Sequence, residues 1–453
     1  MSSMPDPSTP PAPVSFWQAL RFWLRLGFIS FGGPAGQIAL MHTELVERRR
    51  WISERRFLHA LNYCMVLPGP EAQQLATYIG WLMHRTWGGI VAGALFVLPS
   101  LLLITGLSWL YVAQGQLAVV AGLFYGLKPA VTALVVHAAH RVGLRVLKNR
   151  WLWVIAAAAF VSMSVLALPF PLIVLAAGVA GALAGRFAPG LFTTAPHNAQ
   201  QAVEYGPALI GDDSPAPRHA RLSWHRFAGV LGVGVALWGG GMVLLVAGFG
   251  WHGALTQMAW FFTKAALLTF GGAYAVLPYV YQGAVEQHQW LTAAQMIDGL
   301  ALGETTPGPL IMVVAFVGFL GGWGKQLFGP DALFAAGAVA ALVVTFFTFL
   351  PSFVFILAGG PVVESTHGQL RFTAPLTAIS AAVVGVILNL AVFFAVHVLW
   401  PAGLAGRFDA VSAAIGLAAG VALLRFRVGV LPLLGACAAV GVLLTWITPM
   451  LQA

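Results

Sequence analysis

Charge is scarce in this chain. Asp, Glu, Lys and Arg make up 8% of its 453 residues and apolar residues 59%, whereas a soluble domain carries about a quarter charged residues. That shortage excludes an ordinary water-soluble domain. A mean hydropathy of +0.85 agrees, and the chain reads as an all-α polytopic membrane protein. Cysteine is also nearly missing. Cys64 and Cys437 sit in apolar stretches at no ligand spacing, which argues against a disulfide framework or a metal site. The histidines form no Cys–His cluster and read as interfacial or core residues. No nucleophile elbow, phosphate loop or haem motif is present, so neither an enzyme nor a cofactor or metal is expected. The opening MSSMPDPSTPPAPVS lacks a basic stretch followed by an apolar core, and residues 1–15 read as a disordered tail rather than a cleaved signal. The net charge is +9. Lys and Arg nevertheless collect at the ends of apolar runs, as orientation signals do, and nucleic acid is not an expected partner.

What the chain has is apolar length, glycine and repetition. GGIVAGALFVLPSLLLITGLSWLYV, residues 88–112, exceeds the roughly 20 residues that span a hydrocarbon core. Shifting the chain against itself by 239 residues superposes Phe31-Gly32-Gly33 on Phe270-Gly271-Gly272. The same shift places Trp51 on Trp290 and Pro68-Gly69-Pro70 on Pro307-Gly308-Pro309. With small insertions, Leu98-Pro99-Ser100 pairs with Leu350-Pro351-Ser352, and Pro129 with Pro375. One fixed register for such motifs marks a duplication. The expected organisation is a tail (1–15), a first repeat (16–186), a polar, Pro-rich cytoplasmic linker (187–225), an extra transmembrane helix (226–250) and a second repeat (251–453).

Charge then assigns orientation. ELVERRRWISERRF contains five arginines, whereas its counterpart AVEQHQWLTAAQM contains none. By the positive-inside rule the first is cytoplasmic and the second has no reason to be. The halves are therefore expected to form an inverted-topology repeat with broken, re-entrant helices, a plan recurrent in secondary transporters. This puts the N-terminus in the cytoplasm and the C-terminus in the periplasm.

The Pro-Gly-Pro sequences are the expected breaks. Proline removes a donor, clashes inside a helix and pushes its predecessor out of helical geometry, yet suits a helix start. A helix beginning after Pro70 bares the amides of Glu71, Ala72 and Gln73, and one after Pro309 bares those of Leu310, Ile311 and Met312. With the flexible Gly32, Gly33, Gly271 and Gly272 nearby, such starts suit an anion, although a simple kink explains each break taken alone. Arg25 and Lys264, equivalent across the repeat, are the leading cationic contacts, with snorkelling to the interface as the plainer alternative. Lys128 is a third candidate. Membrane acids often relay protons, so Glu71, Asp298 and Glu304 are proton-coupling candidates. Capping of a helix start equally explains Glu71.

The stretch LRLGFISFGGPAGQIALMHTELVERRRWISERRFLHALNYCMVLPGPEAQQLATYIG, residues 24–80, resembles the chromate ion transporter family in its long, two-domain form. The resemblance covers nearly everything outside tail and linker. It implies an inner-membrane secondary transporter that exports chromate, driven by the proton gradient or membrane potential, with sulfate as a look-alike ligand and a homodimer as one conceivable assembly. The family motif falls on Phe31, Gly32, Gly33, Pro34, Pro68, Gly69, Pro70 and Gln73, and on Phe270, Gly271, Gly272, Pro307, Gly308 and Pro309 in the second half. Ala273 replaces Pro34 there, and Val313 stands opposite Gln74, so the first half is expected to hold more of the ligand. The alternatives are a sulfate or other oxyanion transporter or uniporter and, less favoured, a membrane enzyme acting on a lipid phosphate. Inversion has a direct test. A topology reporter fused at Gln289 should signal the periplasm and one at Arg50 the cytoplasm; the same side for both refutes it.

Overall fold

In the computed structural model the described residues are 11–115, 117–187, 205–212, 214, 217–221, 223–365 and 373–452. Among them every regular element is a helix. With lipid as solvent, each backbone polar group must be satisfied within its own segment, which a helix achieves and an open sheet cannot. Six of the helices are long and apolar enough to cross a membrane.

The first half runs α1 (Phe16–Ile29), α2 (Gly33–His42), α3 (Glu54–Cys64), α4 (Glu71–Gln114), α5 (Ala118–Val146), α6 (Arg150–Ser164) and α7 (Phe170–Phe187). A connecting helix α8 (Trp224–Phe249) leads to α9 (Ala254–Leu267), α10 (Ala273–Tyr281), α11 (Ala293–Thr305) and α12 (Val313–Gly324). Then come α13 (Leu333–Ser365), α14 (Thr373–Leu399), α15 (Ala410–Leu424) and α16 (Val430–Gln452). α4 is two helices meeting at His84 and Arg85, where Arg85 has φ 57° and ψ −158°. Its two parts answer to α12 and α13.

The duplication is visible in the backbone. Arg50 and Gln289, Arg85 and Gln326, and Ala167 and Arg427 are all the non-glycine residues with positive φ among those described, and they form three equivalent pairs. Single π-helical turns recur at Thr43–Arg48 and Gln282–Gln287. Ser53 and Thr292 cap α3 and α11 alike.

The two halves are interleaved. α6 and α7 pack on α14 of the second half, while α15 and α16 pack on α5 of the first. α1 lies on α4 as α9 lies on α13, and α5 packs on α14 between them. Small residues permit the close approaches, as in membrane helix packing generally. A Cβ on Gly126 would come within 3.0 Å of the Gly441 nitrogen, and one on Gly385 within 3.0 Å of the Phe160 nitrogen. The larger apolar core draws on both halves, with Ile104 and Leu127 beside Phe262, Phe316 and Ile387.

α8 coincides with the expected extra helix. It buries Gly234 and Met242 against its neighbours and turns Leu237, Val243 and Leu244 outward, as a lipid-facing helix should. α6 is short for a crossing, since the helix ends at Ser164. Pro169 removes Leu168 from helical geometry, and Ala167 turns to φ 50°. A 15-residue helix rises about 22 Å, short of a core about 30 Å thick.

Residues 11–15, assigned to the tail by composition, lead into a capping box made by Ser15 and Gln18, and the Val14 carbonyl accepts from His84 at 2.9 Å. Part of the linker lies along the loop after α2. Leu209 donates to the Arg50 carbonyl, Ile210 to Trp51, and Ser53 donates back to Ile210, at 2.9, 3.1 and 3.0 Å. The remaining tail and linker, residues 1–10, 188–204, 213, 215–216 and 222, fall outside the described residues.

Gly126→Leu should lower the melting temperature in detergent by several degrees, because overpacking costs about 1–3 kcal/mol. Gly239→Leu, with open space around it on α8, should change it little. Equal effects would refute the interleaved packing.

Candidate functional site

The breaks are built by hydroxyls and glycines. Ser30 Oγ donates to the Leu26 carbonyl at 2.6 Å, and its equivalent Thr269 Oγ1 donates to the Ala265 carbonyl at 2.7 Å. The main-chain carbonyls of Ser30 and Thr269 remain free at the ends of α1 and α9. Each accepts from the other half. Gly69 donates its N–H to Thr269, and Gly308 donates its N–H to Ser30, both at 2.8 Å. The Pro-Gly-Pro of each half is thus laced to the Phe-Gly-Gly of its partner. Only glycine suits these positions. Gly69 has φ 130° and Gly308 φ 103°, and a Cβ on Gly308 would lie 2.6 Å from Ser100 Cβ. A Cβ on Gly69 would meet Ser352 Oγ, the equivalent contact.

New helices begin beyond the breaks. α4 makes its first bond from Gln74 N–H to the Pro70 carbonyl at 2.9 Å, with no side-chain cap. The amides of Glu71, Ala72 and Gln73 therefore have no intrahelical acceptor. The second half differs. Its start is a tight 3₁₀ turn, Leu310–Met312, in which Met312 already donates to the Pro309 carbonyl at 2.9 Å. Only Leu310 and Ile311 are left, and Pro307, Gly308, Pro309 and Leu310 are all buried. Pro68 and Glu71 are half-buried and Gly271 is exposed. Within the first break Gly69, Pro70, Ala72 and Gln73 are buried, so its accessible residues are Pro68 and Glu71.

Several polar atoms here are unspent. Ser100 Oγ and Ser352 Oγ are buried without a hydrogen-bond partner among the described residues, as are the Oε1 atoms of Gln37, Gln73 and Gln74. The amide nitrogens of those glutamines are used: Gln73 donates to Thr77 Oγ1 at 3.0 Å, Gln74 to the Pro68 carbonyl at 2.8 Å, and Gln37 to the Gly308 carbonyl. Leaving a buried polar group unpaired costs about 1–3 kcal/mol, so such a cluster calls for a ligand.

The structure sorts the charged candidates. Arg25 is exposed and lines a shallow depression with Glu44 and Arg49. Lys264 holds its Nζ 5.5 Å from the centre of the Trp260 ring. Neither is brought to the laced junction. Lys128 Nζ lies 3.4 Å from Asp298 Oδ2, which also accepts from Tyr111 at 2.9 Å; these form one neutralised pair. Glu304 is buried and accepts a hydrogen bond from Tyr274, the second residue of α10 and two beyond Gly272. Gly32 and Gly33 have φ 87° and 69°, and Gly271 and Gly272 φ 78° and 97°, so both Gly-Gly pairs use conformations closed to other residues.

Two cations missed in the sequence stand at the junction. Arg141 and Arg145 lie one helical turn apart on α5 and are exposed. Arg145 Nη2 approaches Met65 Sδ at 3.2 Å and interacts electrostatically with Glu71. Arg141 interacts electrostatically with Glu304 and Tyr274. Met65 and Glu304 are repeat equivalents, so the two arginines address the same point of the two halves. Neither forms an ion pair among the described residues, and Arg145 Nη2 is spent on Met65 Sδ.

Residues 17–182 and 256–442 match the family described as Chromate transporter. The chain belongs to the chromate transporter family. The two matched segments are the two repeats, with the linker and α8 between them. The chain is 34% identical over 380 residues to a chromate transport protein of Pseudomonas aeruginosa, covering 83% of this chain and 80% of that one. It is 30% identical over 376 residues to a chromate transport protein of Cupriavidus metallidurans, covering 82% and 80%. An uncharacterized transporter of Methanocaldococcus jannaschii is 23% identical over 381 residues, covering 83% and 84%. No solved structure matches. Family membership makes the chain a multi-pass membrane transporter and not an enzyme.

Ser100→Ala and Ser352→Ala should leave the melting temperature unchanged or slightly raised, since an unpaired buried hydroxyl contributes no bond to lose. A destabilisation above about 1 kcal/mol in either would show that the hydroxyl is paired within the protein.

Proposed function

We propose that the protein exports chromate, a divalent tetrahedral oxyanion, across the bacterial inner membrane by secondary transport powered by the proton motive force. One observation carries this reading: the reciprocal lacing holds a helix start whose first three amides have no intrahelical acceptor, with Arg145 interacting electrostatically with Glu71 at that start. Amide ends and a positive helix terminus favour an anion without a resident metal. Arginine adds a planar fork suited to oxyanions. The named substrate of the Pseudomonas aeruginosa and Cupriavidus metallidurans relatives supports chromate in particular.

In this assignment the amides of Glu71, Ala72, Gln73, Gly271 and Gly272 bind the oxyanion, with Arg145 and Arg141 as its cationic contacts. Gly69, Pro68 and Pro70 shape the break. Pro307, Gly308 and Pro309 brace it from the sealed side, and Gly32 and Gly33 give the first half its matching bend. The two halves are inverted about the junction, which places the access face with Arg141 and Arg145 toward the cytoplasm. Proton coupling falls to Glu71, the acid there with no hydrogen-bond partner among the described residues, because Asp298 is already held by Lys128 and Tyr111 and Glu304 by Tyr274.

Uptake of radiolabelled chromate into everted membrane vesicles tests this, with sulfate as competitor. Arg145→Ala and Arg141→Ala should each reduce flux at least about tenfold, the loss of one charge-assisted contact, with normal membrane insertion. Arg25→Ala should retain most of it. Full flux in both α5 variants would overturn the assignment of the site.

A further inference from the structure

Glu71 is a surprising residue at the accessible helix start of an anion carrier. It places a carboxylate where the guest's charge would go, and its repeat equivalent is the apolar Leu310. No hydrogen bond or ion pair holds it among the described residues. Its Oε1 lies 3.9 Å from where a Cβ on Gly272 would stand, so the acid of the first half faces the N-terminus of α10 in the second. That helix has no side-chain cap of its own. From α5, Arg145 faces Glu71, and from α3, Cys64 does. Glu304 on α11, with Tyr274 on α10 and Arg141 on α5, lies on the second-half side. The Leu310–Met312 turn and α12 contribute no ionisable side chain. Ser352 Oγ, buried and unpartnered, stands against the neighbouring Gly69.

We propose that Glu71 is a tethered counter-anion: its carboxylate stands beside the free amides in the empty carrier, and a divalent oxyanion binds when Glu71 takes up a proton and its charge no longer opposes the guest. This rests on the oxyanion reading above and deepens it by naming the group that couples protons to substrate. In a part-buried site, a carboxylate at contact distance from a dianion is a like-charge pair that disfavours the doubly ionised state. The balance is simple. One proton from bulk water joins a Glu71 oxygen for each dianion bound, and no other bond forms or breaks; the loaded carrier then moves one net negative charge outward, so the membrane-potential part of the proton motive force drives export. The repeat breaks its symmetry here for a reason. With Leu310 at the equivalent position and its break sealed, one helix start binds substrate and carries the competing acid.

The test is calorimetric titration of the purified full-length protein with chromate above neutral pH, where chromate stays a dianion, in two buffers of different ionisation enthalpy. The wild type should take up about one proton per chromate. Glu71→Gln should take up none and bind with equal or higher affinity, Glu71→Ala should also take up none, and Glu304→Gln should behave as the wild type. Binding by the wild type without proton uptake overturns the proposal. So does uptake that persists in both Glu71 variants, or that is lost in Glu304→Gln and kept in Glu71→Gln. Loss of all binding in Glu71→Gln also contradicts it, since removing a competitor must not remove the site. Failure of the wild type to bind chromate overturns the oxyanion reading itself, and the proposal with it.

Discussion

Two buried hydrogen bonds organise this molecule: Gly69 to Thr269 and Gly308 to Ser30. Each joins a broken helix of one half to the bend of the other. A backbone hydrogen bond contributes only about 1 kcal/mol net, but leaving either of its groups buried and unpaired costs about 1–3 kcal/mol. The exchange therefore acts mainly as a constraint. Neither half can close its break alone, because the acceptor lies in its twin. The interleaving of α6 and α7 with α14, and of α15 and α16 with α5, repeats the same dependence on a larger scale.

On this symmetric frame the chemistry is asymmetric. The first-half break has an α-helical start and access to the surface, whereas the second begins with a 3₁₀ turn and is buried. The cations follow suit. In the register set by Pro129 and Pro375, Arg141 and Arg145 fall opposite Ile387 and Ala391. Duplication supplied two helix starts, and divergence gave them different forms, one α-helical and one a 3₁₀ turn.

Much of the architecture was legible because proline and glycine act through the backbone. Their signal survives in an apolar sequence where most other matches are uninformative. Pro-Gly-Pro and Phe-Gly-Gly at one offset gave the duplication, the breaks and the family resemblance. The lacing between them was not legible, since nothing in either motif names its partner two hundred or more residues away. Arg25 and Lys264 show the limit of the repeat argument. Matching positions in two repeats say that a residue is retained on the frame, not which way it faces. Helical periodicity held the missing signal: Phe22, Trp23, Leu26 and Gly27 are the buried face of α1, and Arg25 lies off it. Arg141 and Arg145 read as orientation charge because they sit near a helix end, and only the packing of α5 brings them to the break.

The central claim is that an oxyanion rests at the accessible half of the laced junction. A structure of the chromate-loaded protein, with the chromium located by its anomalous scattering, tests this most directly. The account predicts a single chromium position within hydrogen-bonding reach of the Glu71–Gln73 amides and Gly272, with Arg145 turned toward it. Chromium found at the arginine-rich surface loop, or beside Arg25, with the junction empty, would contradict it.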